Sequence, residues 1–354
     1  MKQYLQYLVI LLDDTSVAYC HADNPLTERR LMPLDTLRQA IRFGMKQNLM
    51  IQYVYPDYDL PEEYNEVIES IDNMKIGRDV RVYNSVPTHA VGKNIVLRLT
   101  LKDFIARVYD IALLLPQVAR LNICLTDIEH FTDAQTEEYK KALDTLAKVV
   151  AGQIIKQANA IQANAKQANA IQHTDESKAS DTVRTPSLRG QGESELGTIL
   201  NLFDRLSLTE MHNCEAGVSN ITIAPNGKFY LCPAFYYDEQ MGVSNRMNHK
   251  TKDATRSVGD LENGLNIPNK QLLQLDHAPL CRICDAYHCH RCIWLNERLT
   301  WDANTPSHQQ CVLAHIERNA TRTLQQTLQE AGFHFPTEIP QIAYLDPFDV
   351  KQEW

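Results

Sequence analysis

The stretch Cys281-Arg282-Ile283-Cys284-Asp285-Ala286-Tyr287-His288-Cys289-His290-Arg291-Cys292 decides how this chain is read. It sets four cysteines at intervals of two, four and two residues. A zinc finger or ribbon separates its two ligand pairs by a dozen or more residues, so that both face one tetrahedral ion. Here only Asp285 to His288 lie between the pairs. Four thiolates that close are easier to divide between two sites than to gather on one. Working outward, Cys214 is followed after twelve residues by Gly227 and after four more by Cys232. Cys311 closes the set, so seven of the nine cysteines lie between 214 and 311. Thiolates in such density are ligands of zinc or of iron–sulfur clusters.

Composition narrows the alternatives. At 354 residues the chain is long enough for two domains, and its 44% hydrophobic content is that of a globular protein with an ordinary core. The formal net charge of −9 argues against nucleic acid or an anionic membrane as the main partner. Disulfide frameworks belong to small secreted domains, whereas clustered cysteines in a long chain read as metal ligands in a reducing, cytoplasmic compartment. The apolar run Tyr4–Leu12 is short, interrupted by Gln6 and followed by Asp13 and Asp14. It reads as a buried strand, not a signal peptide.

From that strand the pattern alternates. Leu34–Gln47 places Leu34, Leu37, Ile41 and Met45 on one helical face. Leu49–Tyr55 is a strand stopped by Pro56, and Pro61 opens a helix over Tyr64–Ile71. Strands follow at Asp79–Tyr83, Ile95–Leu99 and Leu121–Leu125, with helices at Phe104–Leu115 and Ala134–Ile155. Repeated strand–helix alternation predicts a parallel α/β sheet or partial barrel over residues 1–156. Gln157–Gly197 holds a five-residue Gln-Ala-Asn-Ala repeat and then a Ser-, Thr- and Gly-rich run, and reads as a disordered or partly helical insertion. Residues 198–354 form the cysteine-rich part. Thr198–Leu208 is expected as a helix, Val218–Ile223 and Lys228–Leu231 as a hairpin about Asn226-Gly227, and Val312–Ala331 as a closing helix. The hairpin would bring Cys214 and Cys232 together at one end.

The pattern Cys214…Gly227…Cys232, a four-cysteine run and a last Cys311 resembles the SPASM domain of radical SAM peptide-modifying enzymes. The run departs from that family's usual spacing, which has five and three residues in its last two intervals where this chain has four and two. The resemblance implies that Cys281, Cys284, Cys289 and Cys311 hold an outer auxiliary 4Fe-4S cluster, and that Cys214, Cys232 and Cys292 hold an inner one. The inner set lacks an evident fourth ligand; His212, His288 and His290 are candidates, as is an open position.

Radical SAM enzymes also carry three cysteines just after the first strand. Here that turn reads Asp13-Asp14-Thr15-Ser16-Val17-Ala18-Tyr19-Cys20. If Cys20 is the last of the three, Asp13 and Val17 occupy the other two positions, and valine has no donor atom. The family's Gly-Gly-Glu after the second strand is replaced by Tyr55-Pro56-Asp57. Cys20 and Cys124 read as small buried hydrophobes, and Asp127, Glu129 and His130 as ordinary loop residues. The chain thus resembles a degenerate radical SAM/SPASM protein that has lost its SAM cluster. Met211-His212-Asn213-Cys214-Glu215-Ala216-Gly217 and Pro225-Asn226-Gly227-Lys228-Phe229-Tyr230-Leu231-Cys232-Pro233 are similar to the signature of the CXXX repeat peptide maturases.

That resemblance implies a maturation factor for a ribosomally synthesised precursor peptide. It would carry one or two 4Fe-4S clusters, act with a partner radical SAM enzyme, and not cleave S-adenosylmethionine itself. A redox or ligand-binding enzyme using an open position on the inner cluster is one alternative. A zinc-stabilised binding module is the other.

Overall fold

The computed structural model describes residues 5–71, 73–172, 199–211, 214–243 and 255–342. The chain begins with strand β1 (Tyr7–Leu11), helix α1 (Leu34–Lys46), β2 (Met50–Val54), α2 (Glu62–Glu69), β3 (Met74–Ile76), β4 (Val80–Tyr83) and β5 (Asn94–Leu99). It continues with α3 (Leu101–Ala106), α4 (Val108–Leu114), β6 (Arg120–Leu125), α5 (Asp133–Gln172) and β7 (Ile199–Leu200). The hairpin β8 (Asn220–Ile223) and β9 (Phe229–Tyr230) then leads to α6 (Pro233–Gln240), the short pair β10 (Gly259–Asp260) and β11 (Gly264–Leu265), α7 (Ile293–Thr300) and α8 (His308–Glu330).

Nine strands form one sheet in the order β7-β6-β5-β4-β3-β2-β1-β8-β9. Every neighbouring pair is parallel except the β8–β9 hairpin. The first seven strands lie in chain order, as in a singly wound β/α sheet, and the architecture is compatible with the expected partial barrel. Strand alternation sends side chains to two layers. Leu8, Ile10 and Leu12 of the first strand join Ile51, Tyr53, Leu37 and Ile41 in one core, while Val9 and Leu11 join Val54, Tyr230 and Tyr236 in another. On β5 and β6, Ile95, Leu97, Leu99, Leu121, Ile123 and Leu125 pack against α3, α4, α5 and α8. The alternate positions Arg98, Asn122 and Cys124 fall on the opposite face. Among the described residues no helix is long and apolar enough to cross a membrane.

Several boundaries differ from expectation for local reasons. The helix expected over Phe104–Leu115 is broken at Arg107, where φ is −114°. The helix expected to end at Ile155 runs to Gln172, through the Gln-Ala-Asn-Ala repeats. Alanine's high helix propensity outweighs the lack of an amphipathic period there. Residues 173–197 of the expected insertion lie outside the described residues. Helix α8 starts at His308 rather than after Cys311. Ser307 caps it, its hydroxyl accepting from the Gln310 N–H, in the Ser-x-x-Gln pattern of a capping box.

The segment after 198, expected as a separate cysteine-rich domain, shares the sheet. β7 pairs with β6, and β8 pairs with β1 from Tyr7↔Asn220 to Ile10↔Ile223. Instead of the expected helix, β7 is followed by a 3-10 turn, Asn201–Leu206. Asn201 explains the change: its Nδ2 donates to the Ile123 carbonyl (2.9 Å) and its Oδ1 accepts from the Ile123 N–H (2.8 Å). One side chain extends the strand ladder where the backbone has turned away.

Asn201→Ala should therefore leave two strand groups of Ile123 unpaired and destabilise the protein by about 1–3 kcal/mol. Denaturant unfolding measures this. A midpoint unchanged from the wild type would show that water or backbone replaces the amide.

Candidate metal centre

The cysteines sit on short loops whose backbone is fixed. The Cys214 N–H donates to the His290 carbonyl (2.9 Å), which ties the start of the hairpin to the Cys289–Cys292 corner. Gly217 then turns the chain at φ +75°, and a Cβ there would come within 2.6 Å of Leu231 and 2.8 Å of Leu273. The hairpin pairs Thr222↔Tyr230 and Ile223↔Phe229 and returns the chain to Cys232, as its Asn-Gly turn predicts. Cys232 is the N-cap of α6, with Pro233 in the first turn, and Cys292 is the N-cap of α7. Neither helix was legible from the sequence. The aromatic residues of α6 bury almost the whole helix, so no amphipathic period is left to detect.

Backbone amides face the sulfurs. The Ala286 N–H donates to the Cys284 sulfur at 3.4 Å, and the amides of Ala216, Ala234, Arg291 and Leu295 favour the thiolates of Cys214, Cys232, Cys289 and Cys292. Cys20 receives the same contact from Ala22. Such amides favour the thiolate, and hydrogen bonds to sulfur help set cluster potentials.

The thiols fall into two groups. Burial, with repulsion from Cys281 and Cys284, pushes the Cys289 thiol up to about 12. Burial chiefly, and then Cys284, raises Cys281 to about 11. The other group is Cys214, Cys232 and Cys292. Burial first, then repulsion by Cys20, Cys292 and Cys214, holds Cys232 well above the ordinary thiol range. Cys292 is raised in the same way, by burial, Cys214 and Cys20. Burial again dominates at Cys214, pushed up to about 11 although part of its surface meets solvent. Cys311 is half-buried in the first turn of α8. One turn on, His315 Nε2 lies 3.3 Å from the Cys284 sulfur, so the α8 face that carries Cys311 meets the first group. Among the described residues no three His, Cys, Asp or Glu side chains converge as ligands of a single ion.

Two arginines fasten the tight run. Arg318 of α8, fully buried, donates through Nε and Nη2 to both carboxylate oxygens of Asp285 at 2.6 Å. Arg205 donates to the Asp285 carbonyl (2.5 Å), and its guanidinium lies 4.2 Å from the centre of the Tyr287 ring. Burial pushes the Asp285 carboxyl up, but the hydrogen bonds and charge of Arg318, with Arg205, outweigh it and hold the group below the usual carboxylate range. The four residues between Cys284 and Cys289 are thus pinned to α8.

The histidines considered for the inner set lie elsewhere. His288 and His290 line a cavity of about 60 Å³ with His21, Cys289 and Glu317. His288 Nε2 is 3.2 Å from Glu317, whose other oxygen accepts from the Tyr139 hydroxyl at 2.6 Å. Burial, with His21 and His288 nearby, pushes His290 down to about 4. His212 lies outside the described residues. Sequence reasoning missed His315, which the spacing Cys311-x-x-x-His315 on one helix face could have shown. It also missed the Asp285 clamp, which no local pattern announces.

Asp285→Asn should leave the buried Arg318 charge uncompensated and cost about 3 kcal/mol of stability, read from chemical denaturation; an unshifted midpoint would show that the pair is not what holds the loop. Metal-free protein should lose stability as the pH rises from about 9 through 11–12. The Cys281 and Cys289 thiols keep protons that unfolded thiols release, so the native state binds more protons across that window. A melting temperature flat over that range would contradict it. No protein-family model and no curated protein matches this chain, so its function is inferred from these thiol groups and the fold that holds them.

Proposed function

We propose that this chain is a maturation factor for a ribosomally synthesised peptide, working in the reducing cytoplasm beside a partner radical SAM enzyme. Auxiliary iron–sulfur clusters would be held by Cys281, Cys284, Cys289 and Cys311 and by Cys214, Cys232 and Cys292, and would supply electron transfer or a binding position at iron. The observation that carries this reading is that the tight run divides: Cys281, Cys284 and Cys289 pack in one small core and Cys292 packs against a different one.

The first loop supports a chain that does not cleave S-adenosylmethionine. The Asp13 carboxylate is fully engaged: it accepts from the Thr15 N–H (2.8 Å) and hydroxyl (2.5 Å) and from the Tyr58 hydroxyl (2.8 Å). The Val17 N–H donates to the Tyr55 carbonyl (2.9 Å), so the residues that replace the cysteines close the loop onto β2. Between this loop and the carboxyl ends of β4, β5 and β6 lies a cavity of about 410 Å³, lined by Ser16, Asn24, Asn84, Thr100, Asp103 and Thr126 among others. Strand carboxyl ends are where α/β proteins place ligands, and this polar opening suits a segment of the precursor peptide.

One observation favours a second reading. His315 Nε2 lies 3.3 Å from the Cys284 sulfur, and a thiol paired with an imidazole is a donor combination of structural zinc sites.

Protein purified without oxygen should contain iron and acid-labile sulfide and absorb broadly in the blue. Stoichiometric zinc without sulfide would replace the cluster reading with the zinc-stabilised module. Reduced by dithionite and given S-adenosylmethionine, the chain should form no 5′-deoxyadenosine above background until the partner enzyme is added. Turnover by the chain alone would make it an enzyme in its own right.

A further inference from the structure

The cavity of about 410 Å³ at the carboxyl ends of β4, β5 and β6 has a one-sided hydrogen-bonding chemistry. We propose that it takes a lysine or arginine side chain of the precursor peptide, a cation rich in N–H donors. This rests on the reading of the chain as a peptide maturation factor and adds the class of residue that the cavity selects.

The lining spends its donors on the protein itself. Arg98 is the single basic residue among the described residues that line the cavity, and it is only 6% exposed. Its Nε donates to the Cys20 carbonyl (2.8 Å) and its Nη1 to Asn84 Oδ1 (3.1 Å). Its Nη2 donates to the Ala22 carbonyl (3.2 Å) and to the Asp23 carboxylate (2.5 Å). Each guanidinium nitrogen is engaged, and Asp23 matches the charge. The Asn24 amide donates to the carbonyls of Asp14 (2.7 Å) and Ser16 (2.8 Å). The Ser16 hydroxyl donates to the Val54 carbonyl (2.9 Å), the Thr15 hydroxyl to Asp13 (2.5 Å) and the Thr126 hydroxyl to the Leu99 carbonyl (3.4 Å).

Acceptors are left over. Thr100 caps α3: its hydroxyl accepts from the Asp103 N–H (3.1 Å) and donates to one Asp103 carboxylate oxygen (2.6 Å). The other Asp103 oxygen has no donor among the described residues, and no lysine, arginine or histidine among them pairs with this carboxylate. Asp23 likewise gives one oxygen to Arg98 and keeps the second. An anion is refused for the same reason. The backbone donor that a phosphate would seek at the start of α3, the Leu101 N–H, is already given to the Asp127 carboxylate (2.9 Å). A lysine or arginine side chain answers both needs. Its N–H groups fill the free oxygens and its charge balances Asp103, while its methylenes lie along Val17, Leu26 and Val82, the apolar part of the lining.

The test titrates full-length protein with four N-acetylated tripeptide amides, Ala-Lys-Ala, Ala-Arg-Ala, Ala-norleucine-Ala and Ala-Glu-Ala, and with inorganic phosphate and S-adenosylmethionine. Binding is read by ligand-observed nuclear magnetic resonance at low salt. The lysine and arginine peptides should bind the wild type about fivefold tighter than the norleucine peptide, and added salt should shrink that advantage. The glutamate peptide should bind most weakly. Asp103→Asn, which keeps an acceptor for Thr100 and removes the charge, should abolish the advantage. Asp110→Asn, which removes the same charge from α4, where it pairs with Arg107, should match the wild type. Equal binding of the lysine and norleucine peptides, or an advantage that survives Asp103→Asn, would overturn the cation assignment and leave the peptide reading standing. Preference for phosphate or S-adenosylmethionine over every peptide, or no binding by any peptide, would overturn the cation assignment together with the peptide reading of the cavity.

Discussion

The pair between Arg318 and Asp285 is the interaction on which the arrangement of the cysteines depends. A guanidinium with no exposed surface is tolerable only if its charge and donors are matched, and the match here is bidentate. Asp285 sits between Cys284 and Cys289, so the residue that satisfies the arginine also sets where both thiols lie. Arg318 belongs to α8, which packs along α5, and α5 packs on β5 and β6. The cysteine run is therefore registered to the sheet through rigid elements, not through its own short loops.

The sheet itself was readable from the chain, because its strands are apolar runs bounded by proline, glycine and charge, and because β/α alternation leaves few topologies. β1, β2, β5 and β6 fall where their sequences place them to within a residue or two. β3 is too short to carry a pattern, and β7 exists because Asn201 completes a ladder that only the tertiary structure supplies. The candidate site was legible in part for the same reason. Spacing shows which cysteines belong to the pattern, but it cannot show that α8 brings His315 to Cys284, or that Arg98 of β5 holds the Cys20 carbonyl. Contacts between residues far apart in sequence have no signature in a single chain.

The loop after β1 is organised by two neighbouring acids. Asp13 occupies the position expected of a ligand, yet its oxygens organise Thr15 and Tyr58. Asp14 accepts from the Tyr236 hydroxyl and pairs with Arg30 at 2.8 Å, which joins the loop to α6 just beyond Cys232. The two acids thus connect the carboxyl end of β1 to the cysteine-rich segment by hydrogen bonds.

The pairing of β8 with β1 has a consequence for synthesis on the ribosome. β1 is made before the other strands of its sheet, and it is apolar on both faces. One flank is covered as soon as β2 emerges, but the other waits for Asn220–Ile223. Through most of elongation the chain therefore carries an unprotected strand edge of Leu8, Val9 and Ile10, the kind of template that recruits neighbouring chains. Closing a loop of that length adds little thermodynamic cost but delays the contact. Nascent chains crowded on one messenger would be most prone to mispair before the hairpin is out, and a chaperone that shields Tyr7–Leu11 would raise the yield of folded protein.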